Sequence, residues 1–111
     1  MRVRWQNAAK EELAQVAEWY EDRETGLGLE FLDEVDVLVE DLRQNAQRFP
    51  RYENAPARRD VRRASFKRFP HQVLFELIAN QVWVVAIAHP SRKPQYWTKR
   101  LKSPLPSDDL E

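Results

Sequence analysis

The stretch HQVLFELIANQVWVVAIAH, His71 to His89, constrains the fold more than any other part of this chain. Two runs of β-branched and aromatic residues follow each other across a short polar break at Asn80-Gln81. That is the pattern of consecutive antiparallel strands joined by a tight turn. The Asn-Gly pair that would fix such a turn most strongly is absent. In the first run Val73, Phe75 and Leu77 alternate with Leu74, Glu76 and Ile78. In the second, Trp83, Val85 and Ile87 alternate with Val82, Val84, Ala86 and Ala88, so both faces are apolar. A strand apolar on both faces belongs in the middle of a sheet, and such a sheet needs covering layers.

The first half of the chain supplies one layer. Asn7 stands where an N-cap is expected, and Leu13, Val16, Ala17 and Tyr20 then repeat at the spacing of a single buried helical stripe. Gly26 and Gly28, the only glycines, end this helix and open the next. In LEFLDEVDVLVEDLRQN the apolar face is Phe31, Leu32, Val35, Leu38, Val39 and Leu42, with Arg43 suiting the helix C-terminus. Two such helices joined by a short loop form an antiparallel hairpin. Val3–Trp5 is a short strand candidate, Pro50 and Pro56 bracket a polar linker, and DVRRASF is a further extended segment. The expected fold class is α+β: a small antiparallel β-sheet with an N-terminal two-helix hairpin packed on one face, in the order β-α-α-β-β-β. No helix remains for the other face. Polar residues, the C-terminal segment or a partner must cover it.

The length of 111 residues fits one domain, expected over residues 1–102, with the Pro- and Ser-rich residues 103–111 as a flexible tail. The absence of cysteine excludes disulfides and thiolate metal sites. No window carries the roughly 18 apolar residues of a membrane helix, and the N-terminus lacks a signal-peptide core. A soluble, cytoplasmic protein without membrane contact is the expectation.

Formal net charge is zero, but its distribution is lopsided. Residues 1–49 carry 6 Lys/Arg against 12 Asp/Glu, whereas residues 50–111 carry 12 against 6. Such a split points to an anionic partner for the basic half, or to two differently solvated faces. His71 and His89 have no carboxylate at ligand spacing, no phosphate-binding loop or nucleophile elbow is present, and no cofactor is expected. What remains is a cationic cluster: Arg62, Arg63, Lys67, Arg68, Arg92, Lys93, Lys99 and Arg100. Arg62 and Arg63 are neighbours in an extended run, so only one of them can face the exposed side of the sheet. Guanidinium groups can hold phosphates, and Phe66, Phe69, Tyr96 and Trp97 are either stacking platforms for bases or core residues. His89 and Tyr96 are either structural groups or proton carriers. Trp5, Trp19 and Trp83 read as core or interface anchors.

At these residues the sequence resembles the RelE/ParE superfamily of toxins from type II toxin–antitoxin systems. The resemblance spans roughly residues 3–100 and is carried by VRRASFKRFPHQVLFEL, by VWVVAIAHPSRKPQYWTKR and by the helical half. Its two sharpest elements are Arg-x-x-x-Phe-x-Arg-Phe-Pro, Arg62 to Pro70, and His-x-x-Arg-x-Pro-x-x-Trp-x-x-Arg, His89 to Arg100. It implies a toxin neutralised by a cognate antitoxin protein in a hetero-oligomer. ParE-like members poison DNA gyrase without nuclease activity, whereas RelE-like members cut mRNA on the ribosome. The His…Arg…Trp…Arg ending is closer to the ParE-like branch, and zero net charge suits a ribosome-docking nuclease poorly. The resemblance therefore implies gyrase binding, with Arg63, Arg68, Arg92, Trp97 and Arg100 as target-binding residues. The alternatives are an mRNA endoribonuclease using Arg62, Lys67, Arg92, Tyr96 and His89, or an inactive homologue that serves only as an interaction module.

Overall fold

A computed structural model describes residues 1–56, 58–93 and 96–101. Strand β1 (Arg2–Trp5) leads into helices α1 (Asn7–Arg23) and α2 (Leu27–Asn45), followed by strands β2 (Val61–Ser65), β3 (Gln72–Ile78) and β4 (Gln81–Ala88). Short 3-10 turns follow α2, at Ala46–Arg48, and close the described chain at Tyr96–Leu101. The expected order β-α-α-β-β-β and the α+β class are those observed. The expected tail, residues 103–111, lies outside the described residues.

The sheet order is β1-β4-β3-β2, which places β4 centrally as its two apolar faces require. The sheet is mixed: β2, β3 and β4 pair antiparallel, while β1 joins β4 parallel, from Arg2 opposite Gln81 to Trp5 opposite Val84. The helical hairpin between β1 and the rest of the sheet permits that direction, since a parallel neighbour needs a long crossover.

Two local readings shift by one residue. The hairpin turn is Ala79-Asn80, with φ of 51° and 63°, and Gln81 already belongs to β4. Both central residues are left-handed, as a turn matching the strand twist demands. Asn7 is the first helical residue; Gln6 sits at the N-cap, and no side chain caps the helix there. A third difference bears on the functional face. Leu74 lies opposite Ala86 but Phe75 lies opposite Val84, so Val85 is an extra residue, a β-bulge. Beyond the bulge the alternation inverts. Val82, Val84 and Ile87 pack toward the helices, while Val85 and Ala86 pack on the opposite face.

The main core lies between the helices and the sheet. Phe31, Val35 and Leu42 of α2 and Ala9 and Tyr20 of α1 meet Val73, Phe75, Val82 and Val84. The two helices touch at Gly28, where a Cβ would stand 2.5 Å from the Ala17 carbonyl oxygen. Glu21 of α1 accepts hydrogen bonds from the Gly26 and Gly28 amides, at 2.9 and 3.1 Å, and so caps α2 from outside it. The other sheet face is covered by the chain's own C-terminal turn. Trp97 and Leu101 pack on Val61, Leu74, Val85 and Ala86, with Tyr52 meeting Trp97 edge-on at 5.2 Å.

Candidate functional site

The Tyr96–Leu101 turn is held on the sheet by charge as well as by Trp97. Strand β1 protects the outer edge of β4 only as far as Val84, where the Gln6 amide bonds the Val84 carbonyl. From Val85 onward, side chains replace the missing strand. Arg100 donates to the Val85 carbonyl at 2.7 Å, and the Ile87 amide donates to Glu12 of α1 at 2.9 Å. Glu12 is itself gripped by both terminal nitrogens of Arg100, at 3.0 and 2.9 Å, and by the Tyr96 hydroxyl at 2.8 Å. Burial alone would push the Glu12 carboxyl up, but hydrogen bonds from Arg100, the Ile87 amide and Tyr96 together hold it below the usual range. The Tyr96 hydroxyl is pushed well above its ordinary range, first by burial and then by donating to Glu12.

This anchoring shapes a pocket of about 250 Å³ on the sheet face away from the helices. Gln72, Leu74 and Ala88 form its floor, Tyr52, Tyr96 and Trp97 its aromatic side, and His89, Arg92 and Lys93 its rim. Arg63 stands opposite Leu74 in the β2–β3 pairing and therefore points to the same face. Arg63, Arg92 and Lys93 have no carboxylate partner among the described residues; the Arg92 guanidinium lies 4.0 Å above the Tyr96 ring. Arg92 and Lys93 on a concave, partly aromatic surface, with Arg63 on the same sheet face, can hold an anionic group.

The remaining sequence candidates are placed differently. Arg62 points to the helix side, where it pairs with Asp60 at 3.0 Å and donates to the carbonyls of Gln47 and Phe49 at 2.8 and 2.9 Å. Of the adjacent pair it is thus Arg63 that faces the pocket. Arg68 pairs with Glu34 and Glu30 of α2, at 2.6 and 3.0 Å, on the opposite side of the molecule's sheet. The Lys67 amide also bonds Glu34, while its side chain is exposed. Trp97 is 1% exposed, so it supports the pocket from beneath. Arg100 is committed to Glu12 and Val85. His89 accepts the Ser91 amide on Nδ1 at 3.0 Å, with the Ser91 hydroxyl at 2.7 Å.

Glu12 and Gln72 were not among the sequence candidates. Glu12 carried a readable signal, since it lies three residues after buried Ala9 and four before Val16, on the flank of the α1 stripe. Gln72 carried none. No group of three or more His, Cys, Asp or Glu side chains poised for a metal occurs among the described residues. No helix there is long and apolar enough to cross a membrane.

Comparison with known proteins bears on the fold and the family. No curated protein sequence matches. Among solved structures, the chain is similar to one described as a chromosomal ParDE TA system from P. aeruginosa. The TM-score is 0.67 at 21% identity, covering 80% of this chain and 95% of that one, which establishes a shared fold. The family model for the ParE toxin of the type II toxin–antitoxin system, parDE, matches residues 3–94. That span contains both helices, β2 to β4, all of β1 but Arg2, and the Arg63, Arg92 and Lys93 cations, and the chain belongs to the ParE family of type II toxins.

Proposed function

We propose that this chain arrests growth by binding DNA gyrase through the cationic pocket, and that a cognate antitoxin neutralises it by forming a hetero-oligomer. The observation that carries the binding reading is the commitment of Tyr96. Its hydroxyl donates to Glu12 at 2.8 Å, and its acidity is suppressed, so it is a poor proton carrier. Arg62, a further cation of the nuclease set, is saturated by Asp60 and two backbone carbonyls. Arg63, Arg92 and Lys93 remain as a docking rim rather than a reaction centre. The gyrase target itself follows from family analogy.

One observation favours a second reading, mRNA cleavage on the ribosome: His89, whose Nε2 has no hydrogen-bond partner among the described residues, lines the same pocket as Arg92 and Lys93. Induction without antitoxin, followed in parallel for supercoiling by gyrase and for mRNA integrity, separates the two. Gyrase inhibition with intact mRNA is expected. Arg63→Ala and Arg92→Ala should each abolish arrest while the protein stays folded, and Tyr96→Phe should retain it. Codon-positioned mRNA cuts with normal supercoiling, lost in His89→Ala, would overturn the binding reading.

A further inference from the structure

A second concavity lies across His89 from the cationic pocket. It is a cleft of about 520 Å³ between α1 and the ends of β3 and β4, within the size range of ligand sites. Val16, Trp19 and Tyr20 of α1 form one wall and Pro70 the other. Trp19 is 49% exposed, an unusual state for the largest side chain; it is fixed edge-on against Tyr20 at 5.1 Å. The Arg23 guanidinium lies 3.7 Å over its indole ring and has no carboxylate partner among the described residues.

The polar lining includes two histidines. His71 is only 6% exposed, and its Nδ1 shares a hydrogen bond with the Tyr20 hydroxyl at 3.3 Å, its one hydrogen bond among the described residues. Its ring lines the cleft. His89 meets His71 edge-on, with ring centroids 4.9 Å apart. Its Nδ1 already accepts the Ser91 amide, so the proton of its neutral ring sits on Nε2. The cleft thus offers apolar walls, an imidazole N–H donor on His89 and, beside it, the guanidinium of Arg23, with no carboxylate in its lining.

We propose that this cleft is a docking site for an aromatic side chain carrying a nearby carboxylate, presented by a segment of the antitoxin. The proposal rests on the toxin–antitoxin reading above for the source of that segment, but not for the chemistry of the cleft. An aromatic ring fills the space between Trp19 and Pro70, and the carboxylate accepts from His89 and pairs with Arg23. Aromatic anchors in desolvated pockets, ringed by hydrogen-bond partners, dominate the energetics of such interfaces.

The chemistry is tested by nuclear magnetic resonance titration of the full chain with N-acetyl-L-tryptophan, N-acetyl-L-tryptophanamide and N-acetylglycine. N-acetyl-L-tryptophan should shift signals of residues 15–23, 70–71 and 89–91, and should bind about fivefold tighter than the amide. N-acetylglycine should leave them unmoved. Arg23→Gln should equalise acid and amide, and Trp19→Ala, a surface change, should weaken both. Shifts elsewhere, or equal binding of acid and amide to the unaltered chain, would overturn the proposal. Signals of the cleft that move with protein concentration alone would also overturn it, in favour of a contact between copies. In cells, Trp19→Ala should still arrest growth yet escape the antitoxin. Normal neutralisation of that variant overturns the assigned source. Absence of arrest by the unaltered chain instead removes the toxin reading, and the titration still decides the cleft.

Discussion

Acid should destabilise this protein through one residue, His71. Its ring is buried between Tyr20, Phe31 and His89, and burial, followed by the nearby His89, lowers its pKa to about 4 from an ordinary value of 6.5. The unfolded chain therefore takes up a proton as pH falls through about 6.5, while the folded chain resists until about 4. Stability from this group is fully present above pH 6.5, falls as pH drops between the two values, and is gone below the lower one. Each pH unit crossed between those values removes about 1.4 kcal/mol, so lowering the pH from 7.5 to 4.5 costs about 2.5 kcal/mol through His71 alone. Carboxylates titrate over the same range, so the comparison must be with a variant that cannot take up this proton. His71→Phe loses the Tyr20 hydrogen bond, about 1 kcal/mol at pH 7.5. Its deficit should shrink and reverse as pH falls, leaving it about 1.5 kcal/mol more stable than the unaltered chain at pH 4.5. Urea unfolding followed by tryptophan fluorescence at pH 7.5, 6.5, 5.5 and 4.5 measures both curves. A difference between the two proteins that stays constant within about 0.5 kcal/mol across that range would refute the argument.

Other perturbations test other parts of the molecule. Glu12→Ala removes the acceptor shared by Arg100, Tyr96 and the Ile87 amide, and should cost about 2–4 kcal/mol in urea unfolding, with faster hydrogen exchange at Ile87. Gly28→Ala forces a methyl to within 2.5 Å of the Ala17 carbonyl oxygen and should cost about 1–3 kcal/mol or more, read as a lowered Tm. Ala79→Asn places a residue that tolerates left-handed backbone where φ is 51°, and should raise stability by about 0.5–1 kcal/mol, a few degrees in Tm.

The elements themselves were legible in the sequence because burial imposes a period. The stripes of α1 and α2 name the residues that meet the sheet, and the doubly apolar run from Val82 places β4 centrally. The period failed at Val85, where one inserted residue turns Ala86 and Ala88 to the other face; nothing in a string of small and β-branched residues marks a bulge. The parallel direction of β1 was equally silent, since four residues pair in either sense. For the site, alternation correctly separated Arg62 from Arg63, but not which of them faces the pocket. That is decided by Asp60 and by two backbone carbonyls at the end of α2, partners that exist only after folding. The same holds for Arg68 and Arg100. A basic run in sequence is a list of charges, and the fold determines which are neutralised internally.

The manner in which β4 is sealed has a thermodynamic consequence. Residues 96–101 hold their place through Trp97, Arg100 and Tyr96 as a tethered ligand holds a receptor, with the preceding chain setting its effective concentration. Such a ligand can leave without global unfolding. Its departure would uncover at once the Val85 and Ile87 carbonyls, which accept from Arg100 and Tyr96, and the apolar floor of Leu74 and Ala86. The chain thus carries its own competitive occupant for its most adhesive surface, and any strand that sought to pair there would have to displace a neighbour already on site.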